Sequence, residues 1–398
     1  MSIEPKIKVF ILRDYYLPGY KSGGPIRTLA NLIDRLGDQV EFRLFTRDRD
    51  CGDRIPYSHV QVNTWNQVGK AQVYYAAPNH LSPRILRTLI RASTPDIVYL
   101  NGFFSSFTVM CLLLFRFNRL PRMPIILAPR GEFAHSALQL KNAKKQAYLR
   151  VVRSIGLARN IIWQASSSLE AQDIRRVMGH FCRVHIAPNL PPHVDIHADH
   201  GLEKPVKSPG NLRLAFLARI APMKNLEQAL EMLCRLREPI IFDIYGPVPP
   251  DEVAYWRKCQ EIILRLPANI QVSYHGPVPN AEVVSTLARY DFLLLPTLGE
   301  NFGHIILESL VAGCPVLISN RTQWLDLAEK KIGWDIALED LERWHTILHY
   351  CINMDNTTYH TLSQSAHQFA LDYIRSPLAE QQNLALFTEV SRLYTPMK

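Results

Sequence analysis

No stretch of this chain stays apolar for the roughly 18 residues that a membrane helix needs. The longest candidate, Val109 to Phe115, stops at Arg116 and reads as a buried helix. No charged leader with a small-residue cleavage site opens the chain, and Ile7–Leu12 reads as a strand, so a signal peptide is not expected. Seven cysteines, an odd number without a Cys-x-x-Cys pair, argue for reduced, cytosolic thiols and against a disulfide scaffold or a zinc site. Low-complexity segments and short-period repeats are lacking. So are Gly-x-Gly-x-x-Gly and Walker loops, which leaves a nicotinamide or ATP reading without support. The one Asp-x-Asp triplet, Asp48-Arg49-Asp50, sits among arginines and reads as a solvated loop rather than a metal site.

What is present is ordinary for a folded protein: 47% apolar and 20% charged residues. At 398 residues, two domains are the default. The net charge of +9 is unevenly spread. Residues 1–200 hold 27 Lys and Arg against 14 Asp and Glu, a balance of +13, while residues 201–398 hold 18 against 22, a balance of −4. A basic half suggests an anionic partner: nucleic acid, an anionic membrane surface or a phosphorylated substrate. Solubility is the plain alternative.

Strand-like runs alternate with helix-like runs: Lys8–Leu12, Glu41–Phe45, Asp96–Leu100, Ile125–Leu127 and Ile161–Ala165, then Leu212–Leu217, Ile240–Tyr245, Ile270–Tyr274, Phe292–Leu295 and Val316–Ile318. Apolar strands in β-α alternation imply parallel sheets covered on both faces. Pro188 to Pro209, rich in Pro, His and charge, has the composition of a linker. The expected organisation is an α/β chain of two doubly wound, Rossmann-like domains, 1–195 and 196–377, with a last helix in 378–398. A crevice between the two would be the natural site.

The most informative segment runs from Leu295 to Val316. Glu300 stands on the loop leaving a short apolar strand, Gly303 opens a helix, Glu308 rides on that helix, and Gly313 closes it before a Pro-led strand. Both acids would then face the crevice at the carboxyl end of a parallel sheet, where open α/β folds bind ligands. A surface helix carrying two unrelated acids is the alternative. Earlier in the same half, a strand ending near Leu217 leads to Arg219, Lys224 and Asn225, the last placed to cap the next helix. Two cations at a helix N-terminus make an anion site; two exposed loop charges are the plainer explanation. Gly246 and Gly276 each follow a strand and would rim the same crevice, holding a planar base through backbone groups.

The first half offers a glycine loop, Asp14 to Arg27, in which Gly23 and Gly24 let backbone N–H groups approach a ligand and Pro25 suits the first turn of a helix. Pro129-Arg130-Gly131-Glu132-Phe133-Ala134-His135 follows the strand at Ile125–Leu127. A helix from Leu140 to Arg153 then places Lys141, Lys144 and Lys145 on one face beside Tyr148, a surface suited to acidic lipid headgroups or simply to water.

With these residues in view, the chain resembles the GT-B-fold, retaining glycosyltransferases of family 4, over most of its length and most strongly across residues 212–335. Glu300 and Glu308 match the Glu-x7-Glu motif of that family. Arg219 with Lys224-Asn225 matches its diphosphate-binding pair, Gly23-Gly24 its N-domain glycine loop, and 378–398 the segment that returns to the first domain. A narrower likeness, to enzymes of bacterial surface polysaccharide assembly, rests on Pro129-Arg-Gly-Glu132 and on Ser319–Trp324 through Gly333–Asp335.

The resemblance implies two Rossmann-like domains facing across a cleft, with the acceptor on the first and a UDP- or GDP-linked sugar on the second. Glu308 would hold the donor ribose, and Glu300 the donor sugar together with backbone groups of Asn301, Phe302 and Gly303. Arg219 and Lys224 would neutralise the departing diphosphate without a metal ion or other cofactor. Asn101, Arg130, Glu132 and His135 become acceptor-side candidates. Asn101 and Gly102 stand where relatives carry a His, and His135 is the candidate to replace it; Asn320–Gln323 replace further family glycines. The implied activity is sugar transfer to a glycan or lipid-linked hydroxyl in the cytoplasm, or peripherally at the inner membrane face. A glycoside hydrolase using Glu300 and Glu308, a sugar-nucleotide epimerase, and a basic nucleic-acid-binding protein are the competing readings. No nucleic-acid module supports the last.

Overall fold

The computed structural model describes residues 5–139, 142–192 and 204–393. The chain divides into two compact units, Met1–His193 with Pro377–Lys398, and Val194–Ser376.

The first unit is built on an eight-stranded sheet. Its strands are β1 (Ile7–Leu12), β2 (Val40–Arg47), β3 (Trp65–Val68), β4 (Ala71–Ala76), β5 (Ile97–Asn101), β6 (Ile125–Ala128), β7 (Ile161–Ala165) and β8 (Arg183–Ile186). Between them run α1 (Gly24–Leu36), α2 (Pro83–Ser93), α3 (Ser106–Arg116), α4 (His135–Gln139), α5 (Asn142–Ser154) and α6 (Ser168–Met178). The order is β3-β4-β2-β1-β5-β6-β7-β8, parallel throughout except for the β3–β4 hairpin. Val9, Phe10, Ile11 and Leu12 of β1 are all buried, as a strand covered on both faces requires. One apolar layer gathers Leu86 and Ile90 of α2, Phe107 and Cys111 of α3, Leu149 and Val152 of α5, and Ile174 of α6. A second, on the other face, gathers Leu29 and Ile33 of α1 with Leu386 and Phe387 near the end of the chain.

The second unit carries β9 (Leu212–Leu217), β10 (Ile240–Tyr245), β11 (Ile270–Gly276), β12 (Phe292–Leu295), β13 (Val316–Ser319) and β14 (Gly333–Ile336), in the order β11-β10-β9-β12-β13-β14. All its pairings are parallel. Its helices are α7 (Leu226–Leu233), α8 (Val253–Ile263), α9 (Val283–Leu287), α10 (His304–Val311), α11 (Leu341–Asn353) and α12 (Asn356–Arg375). The last helix, α13 (Leu378–Arg392), belongs to the first unit, where Asn383 Nδ2 donates to Pro188 O at 2.7 Å.

All ten strands expected from the apolar runs are present, and β3, β4, β8 and β14 add to them. The linker composition proves only partly a matter of solvent. Leu190 is buried and its carbonyl accepts from Asn31 Nδ2 at 2.9 Å. At the far side Lys207 is buried, its ammonium donating to the carbonyls of Ser208, Asn211 and Ile352 at 3.0, 2.7 and 3.0 Å. The centre of the segment, 193–203, with the expected 195/196 boundary, lies outside the described residues.

Each sheet reverses its winding once. The reversal falls between β1 and β5 in the first unit and between β9 and β12 in the second. Chains leaving neighbouring strands in opposite directions open a crevice there, at the carboxyl ends.

Candidate functional site

In the second unit the two loops bordering the reversal hold the strongest site candidates. The loop after β9 carries Arg219 and passes through a 3-10 turn, Pro222–Lys224. The loop after β12 carries Glu300. Leu298 N and the Thr297 hydroxyl both donate to Met223 O at 2.9 Å, stitching the loops together. Lys224 Nζ forms an ion pair with Glu300 Oε2, each side chain less than a fifth exposed. Arg219 is exposed and has no ion-pair partner among the described residues. The structure thus joins two candidates that lie 76 residues apart and leaves a third open to solvent beside them.

Asn225 does not cap α7 as expected. It adopts a left-handed backbone (φ 57°) and makes no side-chain cap bond. Its amide instead reaches across the reversal to Pro296 O at 2.9 Å, with a second bond to Gln228. It ties the β9 loop to the β12 loop, which a cap would not do.

Gly303 sits at the N-cap of α10 with φ 75°. A Cβ there would meet Ile306 Cδ1 at 2.8 Å and Glu300 Cγ at 3.1 Å, so the position favours glycine sterically as well as conformationally. Glu308 lies in the middle of α10, 9% exposed. Phe302 is buried, with its ring against Trp324 and Tyr373.

Residues that the sequence reading quoted for a likeness, without giving them a site role, hold this loop in place. Ser319 Oγ donates to Thr297 O at 2.5 Å, and Glu300 N donates to Arg321 O at 3.2 Å. Trp324 Nε1 and Gln323 Nε2 both donate to Phe302 O. The segment Ser319–Trp324 is therefore a splint along the backbone that bears Glu300. In the sequence this segment carried the narrower likeness, and Asn320–Gln323 stood where family glycines were expected, but neither signal gave it this contact.

Gly246 and Gly276 are neighbours, with Gly246 N donating to Gly276 O at 2.8 Å. At Gly246 (φ 133°) a Cβ would lie 1.8 Å from Ala218 O, so this glycine serves the close approach of the β9 loop. Around Gly276 (φ 74°) nothing lies within 4 Å of that position. Beside them Tyr245 stacks on His275 at 4.8 Å, and His275 Nε2 lies 3.1 Å from Asp243 Oδ1.

In the first unit, Gly23 (φ 65°) is the N-cap of α1, Gly24 its first residue and Pro25 part of its first turn. The Asp-x-Asp triplet is a correction. Asp48 and Asp50 are 2% and 4% exposed, not solvated. The Asp50 carboxylate accepts from the backbone N–H groups of Tyr20, Lys21 and Cys51 at 2.8, 3.1 and 2.7 Å. A carboxylate buried with three N–H donors loses little on leaving water, and its effect is to anchor the glycine loop.

The four acceptor-side candidates separate. Arg130, in a left-handed backbone (φ 55°), donates to Asn101 Oδ1 at 3.1 and 3.0 Å, and also to Asn189 and Tyr99. It forms a buried polar network rather than an open site. Glu132 Oε2 accepts from Phe103 N and Phe104 N at 2.5 and 3.1 Å, and burial raises its pKa. A Cβ on Gly102 would lie 3.2 Å from both Glu132 Oε1 and Arg13 Nη1, which places these two charges at the β1/β5 reversal. His135 is exposed on α4, bonds Gln139 at 2.9 Å and makes no bond to the Asn101 network.

The expected basic face of one helix is also corrected. Lys145 turns inward, its ammonium bonded to Ala137 O at 2.5 Å and lying over the Phe104 ring, and Tyr148 donates to Phe103 O at 3.3 Å. Lys141 lies outside the described residues, and Lys144 is exposed. Among the described residues no cluster of three or more His, Cys, Asp or Glu is placed to hold a metal ion.

Residues 202–354 match the family model described as glycosyl transferases group 1. No curated protein matches the chain significantly. Among solved structures, HepE from Anabaena, crystallised with UDP and glucose, is similar with a TM-score of 0.69 at 16% identity, over 96% of this chain and all of that one. Sucrose-phosphate synthase from Thermosynechococcus elongatus gives 0.72 at 13%, over 98% of this chain and all of its own. WaaG, a glycosyltransferase of lipopolysaccharide biosynthesis, gives 0.61 at 14%, over 98% and 100%. The chain has the two-domain α/β GT-B fold of these proteins.

Proposed function

We propose, on the premise that residues 202–354 form a group 1 glycosyl transferase domain, that the chain is a retaining, metal-independent glycosyltransferase of the family 4 type. It moves a sugar from a UDP- or GDP-linked donor to a hydroxyl of a glycan or lipid-linked acceptor. The observation that carries the reading is the Lys224–Glu300 pair at the winding reversal of the second sheet. A cation and an acid held there by interlocked loops suit a diphosphate on one side and sugar hydroxyls on the other. HepE, solved with UDP-glucose, supports the donor class.

In this reading the anomeric carbon–oxygen bond to the diphosphate breaks while the acceptor oxygen bonds the same face of the sugar. The acceptor's proton passes to the departing phosphate oxygen. Arg219 and Lys224 offset the charge that develops on the diphosphate. Glu308 binds the ribose, Glu300 the sugar, and orientation of the two substrates supplies much of the rate. A glycoside hydrolase needs a carboxylic acid to protonate its leaving group, whereas Glu300 here is taken up by Lys224. The likeness to WaaG, a glycosyltransferase involved in lipopolysaccharide biosynthesis, supports a role in surface polysaccharide assembly.

Calorimetric titration with UDP and GDP in the presence of EDTA tests the site. One nucleotide is expected to bind, and to bind more weakly to Arg219→Ala and Lys224→Ala. Wild-type affinity in both variants, or no binding to the wild type, overturns the assignment.

A further inference from the structure

We propose that β11, an outer strand of the second unit's sheet, pairs antiparallel with β11 of a second copy of this chain, about a two-fold axis at Ser273. The proposal goes beyond the transferase reading and does not depend on it. The two sheets end in β3 and β8 in the first unit and in β11 and β14 in the second. β3, β8 and β14 are each four residues long; β8 carries Arg183, β14 carries Asp335, and β3 is one arm of a hairpin. β11 is seven residues long, Ile270–Gly276, and holds no Lys, Arg, Asp, Glu or Pro. Charge, proline and short length are what keep a sheet edge from pairing with another chain. β11 has none of them. Its bulge falls at the carboxyl end, after Tyr274, and Ile270–Tyr274 pair regularly with Ile240–Ile244.

The backbone selects the register. Ile240 N donates to Asn269 O at 2.9 Å. Backbone groups alternate sides along a strand, so Asn269, Gln271 and Ser273 turn theirs toward β10, while Ile270, Val272 and Tyr274 turn theirs outward. Ile270 N already donates to Pro267 O at 3.0 Å. The outward groups of Val272 and Tyr274 are left for a new strand. An antiparallel copy centred on Ser273 sets each Val272 opposite the partner's Tyr274, and each such pair exchanges both of its N–H···O=C bonds.

The side chains fit the same axis, as a two-fold interface requires of a surface that must complement itself. On one face Val272 meets the partner's Tyr274, a β-branched side chain against an aromatic ring. Tyr274 is 40% exposed and is backed by Trp256 of α8, ring to ring at 4.6 Å. On the other face Ser273 meets its own symmetry mate, hydroxyl to hydroxyl, and Gln271 meets the partner's His275. Gln271, Ser273 and His275 are exposed, and Ile241 beside them on β10 is 42% exposed, so this side of the edge is open. No like charges face each other. A foreign extended peptide would use the same backbone groups without this match of residues, which is why a second copy is the occupant.

The test is analytical ultracentrifugation of the full chain over a range of concentrations, with three variants at exposed positions. A dimer whose fraction rises with concentration is expected. Ser273 and its mate form a non-hydrogen-bonded pair, about 4.5 Å apart at Cα, which a disulfide can span. Oxidation should therefore trap Ser273→Cys as a dimer that reductant releases. Gln271 lies about 14 Å from its own mate along the strands, beyond that span. Gln271→Cys should trap no more dimer than the wild type, whose exposed Cys51 and Cys234 set the background. Ser273→Lys opposes two ammonium groups on the axis and should weaken association about tenfold or more. Thermal unfolding checks each variant; if Ser273→Lys does not fold, the two cysteine variants decide. Equal trapping at 271 and 273, or a dimer unmoved by Ser273→Lys, overturns the pairing. So does a chain that stays monomeric at every concentration, even one that takes up a foreign extended peptide.

Discussion

The Lys224–Glu300 pair makes opposite demands on two substitutions. In the structure the ammonium is already engaged, with side chains 17% and 18% exposed. A diphosphate that recruits Lys224 must first displace Glu300. A charge-assisted hydrogen bond contributes about 1.5–3 kcal/mol, so Lys224→Ala should weaken nucleoside diphosphate binding about 10- to 150-fold. Glu300→Gln removes the competitor. A water-accessible ion pair is worth up to about 1 kcal/mol, so the same nucleotide should bind this variant up to about fivefold more tightly. The nucleotide-sugar should gain less than the free nucleotide, or lose, because Glu300 also holds the sugar. Calorimetry with both ligands on the wild type and the two variants reads all of this. If both substitutions weaken the free nucleotide alike, the pair is a structural brace, and the exchange of partners at Lys224 is refuted.

Trp324→Phe keeps the ring in its pocket but removes the donor to Phe302 O. About 1 kcal/mol of stability should go, and nucleotide-sugar affinity should fall more than free-nucleotide affinity; equal falls would show that the splint does not position the Glu300 loop. Asp50→Ala deprives three backbone N–H groups of their acceptor, and about 2 kcal/mol of destabilisation with faster hydrogen exchange around residues 19–23 should result. Unchanged exchange there would refute the anchor. Burial raises the Glu132 pKa, so over some pH range the folded state keeps a proton that the unfolded chain has lost. Its contribution to stability therefore falls as pH rises from the unfolded value, about 4.3, through the folded one. Glu132→Gln should flatten that fall in melting curves taken across the acid-to-neutral range, and curves parallel to wild type would refute it.

Most of the strands that the sequence revealed are buried, the edge strand β11 being the exception. Phe292–Leu295 reads as an apolar run because all four of its residues are buried. Of the four it concealed, β4 is itself largely buried, while the others lack such runs or border them. β8, Arg183–Ile186, is an edge strand with polar residues, and β3 joins β4 in an antiparallel hairpin that the β-α rhythm does not announce. β14 begins at Gly333, where a Cβ would lie 2.1 Å from Val316 O, a constraint invisible until β13 lies beside it.

The site divides along the same line. Glycines at forced backbone positions, a carboxylate before a helix and cations after a strand are local facts, and local chemistry makes them legible. Who partners whom is not local. That Lys224 reaches Glu300, that Asn225 bridges two loops instead of capping a helix, and that Asp50 is buried under the glycine loop all depend on side chains far apart in sequence. The amino-acid order settled the alternation of elements and the sign of the charge on each half, because both follow from composition and period. The tertiary structure alone decided which charges meet, which are buried and which share one face, because a polar side chain takes its role from the donors and acceptors that folding brings to it.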